Sequence, residues 1–170
     1  MSPDGGTEAS HGCRVHEGDR GFPRIRGRKR QYDWVIARVD PPTEISMVVR
    51  VGHRRPLAQS SSGQVLFAFQ GDAIRERWLS FLAEANAAFD RKKFVRLANQ
   101  IRERGYASAR SQVVDYSAAV LQHDHALCAL TVPFIARRAS KVTAEAAVRQ
   151  LCRAAADISE SLKYGVSARS

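Results

Sequence analysis

The chain has few cysteines and none in close pairs. Its 170 residues include three, Cys13, Cys128 and Cys152, which lie far apart. Zinc ribbons and thiol redox sites need cysteines in pairs such as Cys-x-x-Cys, so the sequence supports neither. Cys128 and Cys152 stand in apolar segments and are predicted to be small core residues. Unpaired thiols of this kind are typical of a reducing cytoplasm.

Long apolar runs are also missing. No stretch approaches the roughly 20 apolar residues that span a bilayer. Residues 1–6 lack the positive-then-apolar order of a secretory signal. We therefore expect a cytoplasmic protein with no membrane partner. A chain of 170 residues, 44% of them hydrophobic, can bury one ordinary core, which predicts a single domain.

Motifs of the common catalytic and nucleotide-binding sites are absent as well. The sequence contains no Gly-x-Ser-x-Gly elbow, no Gly-x-Gly-x-x-Gly and no Walker loop. His123 and His125 flank a predicted turn, and without a third ligand nearby they favour exposed turn residues over a metal site. We expect no enzymatic activity, no cofactor and no metal.

Charge is the one extreme property that is present. Lysine and arginine number 27 against 17 acidic residues, a net charge of +10. Residues 1–31 have few apolar positions and many polar ones, so they are predicted to form a disordered basic tail. The tail is either simply solvated or the contact surface of a nucleic-acid-binding module, which is the alternative function. The candidate phosphate contacts are Arg24, Arg26, Arg28, Lys29 and Arg30.

Hydrophobic periodicity beyond this tail predicts an α+β domain. Alternating segments indicate strands, and apolar residues three and four apart indicate helices. The order predicts an antiparallel sheet covered by helices. The expected elements are strands at 33–39 and 45–51, helices at 65–69, from 72 and from about 90 to 105, strands at 112–121 and 126–132, and a helix at 143–162.

Two polar features interrupt the apolar pattern. Residues 60–63, Ser-Ser-Ser-Gly, precede a helix, where hydroxyls and backbone N–H groups either cap the helix or bind an anion such as a carboxylate. Asp115 stands inside an apolar strand, and alternation places it on one face with Ser117. Its carboxylate faces either solvent or a pocket, where it would accept a hydrogen bond from a ligand hydroxyl.

The order of several segments resembles the effector-binding domain of IclR-type bacterial transcriptional regulators. The similarity extends over about residues 32–162. Each motif is short, and the order and spacing of the set carry the resemblance. The segments are RVGHRRPL at 50–57, SSSGQVL at 60–66, IRERGYA at 101–107, DYSAAVL at 115–121 and ALTVPF at 129–134.

This resemblance implies a GAF-like fold over residues 32–164, with a short tail at 165–170. It also implies binding of a small organic acid or aromatic metabolite, and contacts between subunits. Carried over by position, the ligand contacts are Ser61, Ser62, Gly63, Asp115 and Thr131, and the apolar pocket walls are Leu57, Val113 and Val120.

The family reads DNA through a winged helix-turn-helix, which occupies on the order of 60 residues. Residues 1–31 are too few and too unpatterned for it, so we expect an effector-binding domain without its own DNA-reading domain. The expected partners are a small-molecule effector and either a second copy of the chain or a full-length regulator. Direct reading of DNA is not expected.

Overall fold

The computed structural model describes residues 14–17, 32–39, 50–110, 113–135 and 141–165. These residues form a six-stranded antiparallel sheet, in the order β3-β2-β1-β6-β5-β4, and four helices. The α+β class expected from the sequence is confirmed. In chain order the elements are β1 Arg14–Glu17, β2 Tyr32–Arg38, β3 Arg54–Pro56, α1 Ser61–Ala68, α2 Asp72–Ala85, α3 Arg91–Arg104, β4 Tyr106–Arg110, β5 Val113–Gln122, β6 His125–Ile135 and α4 Lys141–Gly165.

The hairpin of β5 and β6 contains the two longest strands of the described sheet. Its two turn residues, His123 and Asp124, have φ values of 50° and 65°. Positive φ at both central residues is the requirement of the tight hairpin turn whose twist matches the flanking strands. The turn sets the pairing of Gln122 with His125, and a one-residue bulge between Val120 and Leu121 then shifts the register so that Ser117 lies opposite Thr131.

The sheet separates two hydrophobic clusters. On one face, α1, α2 and α3 pack against Ala107, Ala126 and Ala129. On the other face, Leu151 and Ala155 of α4 pack with a group of sheet residues. Those sheet residues are Ala118, Val120, Leu130, Val132 and Phe134.

Helix α1 lies inside the first cluster. Seven of its eight residues are buried, including the first three, Ser61, Ser62 and Gly63. At Gly63 an added Cβ would lie 2.3 Å from the carbonyl oxygen of Leu57. Because no side chain fits there, glycine allows the helix to pack directly on the backbone before it.

Both ends of α3 follow the capping rules. The Asp90 side chain accepts a hydrogen bond from the Lys93 backbone N–H at 2.9 Å, and Gly105 ends α3 with φ of 82°. Both were expected from the sequence. Helix α4 is the longest at 25 residues, yet neither it nor another helix in the described ranges is long and apolar enough to cross a bilayer.

Three sequence-based assignments need correction. Residues 14–17, expected to be disordered, form β1, because their backbone pairs with both β2 and β6. Tyr106–Arg110 is a strand that the apolar pattern did not indicate, and it pairs with β5. Residues 45–49 of the expected strand at 45–51 lie outside the described residues, while Val51 and Gly52 lie in a turn and the strand follows at Arg54–Pro56.

Substituting Gly63 with alanine tests the contact with Leu57. Alanine inside a helix normally stabilises it relative to glycine by about 0.5–1 kcal/mol. Here the added Cβ would clash with backbone atoms, so we expect destabilisation of about 1–3 kcal/mol in urea unfolding.

Gly71→Ala is the control for that experiment. The nearest atom to its added Cβ is Cε1 of the His125 ring, at 3.3 Å, and this side chain can turn away. Its expected cost is below about 1 kcal/mol, mainly from the weaker capping by alanine. Equal costs at the two glycines would contradict the role of Gly63.

Candidate functional site

The start of α1 is the centre of a buried polar cluster. Ser60 is its N-cap residue, and the Ser60 hydroxyl oxygen accepts a hydrogen bond from the Gly63 backbone N–H at 3.0 Å. Ser60, Ser61 and Ser62 are all almost fully buried. Buried hydroxyls must find partners inside the protein. Those partners define the site.

Asp33 of β2 accepts two of these hydroxyls. Ser60 Oγ donates to Asp33 Oδ1 at 2.8 Å, and Ser62 Oγ donates to Asp33 Oδ2 at 2.5 Å. Only 2% of Asp33 is exposed. A carboxylate at the positive end of a helix is electrostatically favourable. The protein therefore places its own anion at the start of α1.

Ser61 points to the sheet instead. Its hydroxyl lies 2.8 Å from that of Ser117 on β5, which lies 2.8 Å from Oγ1 of Thr131 on β6. Ser117 and Thr131 are directly opposite in the hairpin register. The three hydroxyls form a continuous hydrogen-bonded chain from the helix start across two strands.

An ion pair closes the cluster. Arg55 Nη1 on β3 donates to Asp115 Oδ2 on β5 at 2.5 Å, and Asp115 is 2% exposed while Arg55 is 21% exposed. Arg55 also lies directly opposite Asp33 in the pairing of β2 with β3. One guanidinium thus stands near two buried carboxylates.

This arrangement suits binding better than chemical conversion. Hydroxyls, carboxylates and a guanidinium can orient a polar ligand through hydrogen bonds. The described hydrogen bonds of the cluster's serines run to Asp33, to neighbouring hydroxyls and to the backbone. A serine nucleophile needs an adjacent base that accepts its proton, commonly histidine, and none of these bonds involves a histidine.

Most residues predicted for the site come together. Ser61, Ser62, Gly63 and Thr131 lie in or beside the hydroxyl cluster, and Asp115 faces it and not the solvent. Of the predicted walls, Leu57 contacts Gly63, and Val113 shares the strand face of Asp115 by alternation.

The prediction of Val120 as a pocket wall needs correction. It lies in the cluster under α4, on the opposite face of the sheet. Alternation gives the reason, because Val120 lies five positions after Asp115 and three after Ser117, and residues an odd number of positions apart face opposite sides of a strand. Val120 therefore does not line the site of the hydroxyl chain.

Sequence reasoning missed Asp33 and Arg55 as site residues and did not select Ser117. Asp33 carried a signal, because it is an acidic residue within a strand of apolar and aromatic residues, as Asp115 is. Arg55 carried none, since three arginines occur at positions 50–55 and only the pairing of β2 with β3 directs this one inward.

Other candidate features lie away from the cluster. No group of three or more His, Cys, Asp or Glu that could hold a metal occurs in the described part of the chain, and His123 is an exposed turn residue. Burial raises the pKa of the Cys152 thiol on α4, which disfavours a reactive thiolate. The phosphate-contact cluster Arg24, Arg26, Arg28, Lys29 and Arg30 lies outside the described residues, so the alternative nucleic-acid function stays a prediction.

The family assignment follows from the whole domain. The family described as bacterial transcriptional regulator IclR, C-terminal, matches residues 25–160. The chain belongs to this family. The matched range includes β2 to β6, α1 to α3 and most of α4, so the IclR-type domain contains every site residue named above. No curated protein sequence matches the chain.

Solved structures show that the fold of this IclR-type domain is GAF-like, as expected. IclR of Thermotoga maritima superposes with a TM-score of 0.72 at 19% identity, over 90% of this chain and 62% of that one. The C-terminal domain of the E. coli regulator KdgR superposes with a TM-score of 0.69 at 17% identity, over 89% of this chain and 87% of that one. An IclR homolog from Microbacterium hydrocarbonoxydans, solved with 4-hydroxybenzoate, superposes with a TM-score of 0.65 at 19% identity, over 90% of this chain and 61% of that one. The domain thus spans less than two thirds of the Thermotoga and Microbacterium chains.

A double-mutant cycle between Ser61 and Ser117 measures the hydroxyl chain. Each change to alanine removes a partner from a buried hydroxyl, at an expected cost of about 1–3 kcal/mol. Because the two hydroxyls contact each other, the costs should not add, and we expect a coupling energy of about 1 kcal/mol in denaturant unfolding. The control is Ser80→Ala on the exposed side of α2, expected within about 0.5 kcal/mol of the parent. Strict additivity would contradict the chain.

The ion pair predicts that substituting Arg55 and substituting Asp115 lower the free energy of unfolding by different amounts. Arg55→Gln leaves the Asp115 carboxylate buried without this cation, a change that costs on the order of 3 kcal/mol. Asp115→Asn leaves Arg55 with access to water, so we expect a smaller loss. Unfolding free energies in urea test the order, and a larger loss for Asp115→Asn would reverse the interpretation.

Proposed function

We propose that this chain is the ligand-sensing domain of an IclR-type transcriptional regulator, binding a small organic acid or aromatic metabolite without converting it. The observation that carries this proposal is the buried cluster at the start of α1, where five hydroxyls, two carboxylates and one guanidinium meet between a helix and the sheet. Groups of this kind fix the orientation of small polar ligands. The family supports a regulatory role for such a site.

Arg55 is the proposed partner of a ligand carboxylate. A guanidinium has five N–H donors, and in the described structure only Nη1 has a hydrogen-bond partner, Asp115. Its partial exposure lets further donors face a ligand. The fork geometry of arginine matches a carboxylate better than a lysine ammonium does.

Asp115 and the hydroxyl chain are the proposed partners of the ligand's other polar groups. Asp115 can accept a hydrogen bond from a ligand hydroxyl, and Ser61, Ser62 and Thr131 can rearrange theirs towards it. Gly63 serves the site through its close packing on Leu57, because its own backbone N–H donates to Ser60 Oγ. A hydroxy acid has both groups that this arrangement recognises, and one relative was solved with 4-hydroxybenzoate.

We further propose that the ligand acts by shifting the association of subunits. Asp33 and Arg55 belong to neighbouring strands and hold β2 and β3 to α1 and β5 through polar contacts. A ligand that competes for these contacts binds more tightly to one position of β2 and β3 than to another. Such a difference in affinity shifts the equilibrium between the two positions. The partner is a second copy of the chain or a full-length regulator.

Thermal unfolding with a panel of organic acids, including 4-hydroxybenzoate, tests the sensing role. An acid at about 100 times its dissociation constant stabilises the folded state by about 2.7 kcal/mol, which raises Tm by roughly 5–10 °C for a chain of this size. Sedimentation with and without the active acid then reports subunit association. The absence of a Tm shift with every acid would overturn the sensing role for that chemical class.

Two lysine variants test the contact assigned to Arg55. Arg55→Lys keeps a cation beside Asp115 and loses the fork, so we expect it to fold and to lose most of the ligand-induced Tm shift. Arg54→Lys is the matched control, since the Arg54 guanidinium lies over the Trp34 ring, 4.7 Å from its centroid. Equal Tm shifts in both variants would exclude Arg55 as the carboxylate partner.

A further inference from the structure

The positive charge of the chain is concentrated on one helix. Helix α3 has six basic residues and one acidic residue, Glu103. Helix α2 has the same length but only two basic residues and three acidic ones. Half of the net charge of +10 therefore lies on α3, and the sensing function proposed above uses none of it. The basic residues of α3 are Arg91, Lys92, Lys93, Arg96, Arg102 and Arg104.

Three of these cations form one exposed patch. Phe94, Ala98 and Ile101 bury the opposite side of α3. Lys92, Lys93 and Arg96 are exposed, and Arg96 follows Lys93 by three residues and Lys92 by four, so the three lie within little more than one turn. We call these three residues the α3 patch.

The fold gives no reason for this patch. Within the described ranges, Arg91 pairs with Glu76 and Arg104 donates to the Tyr106 carbonyl, whereas no carboxylate pairs with the α3 patch. Cations in a first helical turn also oppose the helix dipole, at about 0.3–1 kcal/mol each. Residues that lower helix stability without a compensating contact are candidates for a binding function.

We propose that the α3 patch binds the phosphate backbone of duplex DNA without reading its sequence. Lys92 and Arg96 are one helical step of four residues apart, about 6 Å along the axis, so they can reach successive phosphates. Arg102 lies six residues beyond Arg96, about 9 Å along the axis and about 120° around the helix, so it borders the α3 patch and is not part of it. The exposed amides of Asn99 and Gln100 lie between them and can donate to further phosphate oxygens.

This proposal does not depend on effector binding or on residues 24–30. It predicts that an IclR-type sensing domain itself strengthens the attachment of a regulator to DNA. Because contacts with phosphates release counterions, the binding must weaken steeply with salt. Salt dependence therefore separates this surface from an uncharged one.

Fluorescence anisotropy of the full chain with a labelled duplex of arbitrary sequence, at 50–200 mM salt, tests the proposal. The test variant is Lys92→Gln/Lys93→Gln/Arg96→Gln, since glutamine keeps helix propensity. Each lost phosphate contact lowers the magnitude of the slope of log affinity against log salt by about 0.9, so three lost contacts should lower it by about 2.7. We also expect the affinity for the duplex at 100 mM salt to be about tenfold lower or more.

The matched control removes three exposed cations elsewhere, as Arg77→Gln/Arg149→Gln/Arg153→Gln on α2 and α4. It has the same net charge as the test variant, and we expect it to keep most of the parent's affinity and slope. Circular dichroism confirms that both variants are folded. Lys92→Arg/Lys93→Arg should bind as the parent does, because the charge is kept.

Three results would overturn the proposal. The first is equal loss of affinity in the test and control variants, which would indicate a general charge effect. The second is loss of all binding on deleting residues 1–30 with no effect of the α3 variant. The third is tighter binding of poly-glutamate than of the duplex, which would assign the α3 patch to an acidic protein partner.

Discussion

The burial of α1 is the constraint on which the rest of the described structure depends. The helix is enclosed on nearly all sides, and Gly63 packs directly on the Leu57 backbone. Its first residues are polar, so their hydroxyls must be satisfied without water. Asp33 and Ser117 meet this need from two distant strands. The helix thereby joins β2 and β5 through hydrogen bonds as well as through apolar contact.

The same requirement links stability to sensing. In the proposed site, the groups that satisfy the helix start are also the proposed ligand contacts, so a ligand bound there would replace internal hydrogen bonds with its own. Arg55 is the group best placed for this exchange, because it is partly exposed while the carboxylate of Asp115 is not. Affinity in such a site depends on the difference between internal and ligand contacts. In this structure the polar groups around the start of α1 satisfy one another.

Charge divides the domain into two regions with different chemistry. Around the start of α1, two carboxylates face one guanidinium, and every one of these groups is at least partly buried. On α3 the cations are exposed and largely unpaired with the described carboxylates. They therefore attract anions electrostatically over distances up to about a Debye length, and not through fixed contacts. The first region has fixed polar geometry, which suits the proposed small-molecule site, and the second has exposed charge, which suits the proposed contact with phosphates.

The sequence by itself determined the local features and the family. Periodicity and capping indicated the helices, two-residue alternation placed Asp115 with Ser117, and the order of motifs indicated an IclR-type domain. Val120 was predicted as a pocket wall from the resemblance, although alternation along β5 already placed it on the other face. Tertiary structure decided β1, β4 and the roles of Asp33 and Arg55. These depend on backbone pairing and on contacts between residues 27 to 60 positions apart, and local periodicity contains no information on which distant groups meet.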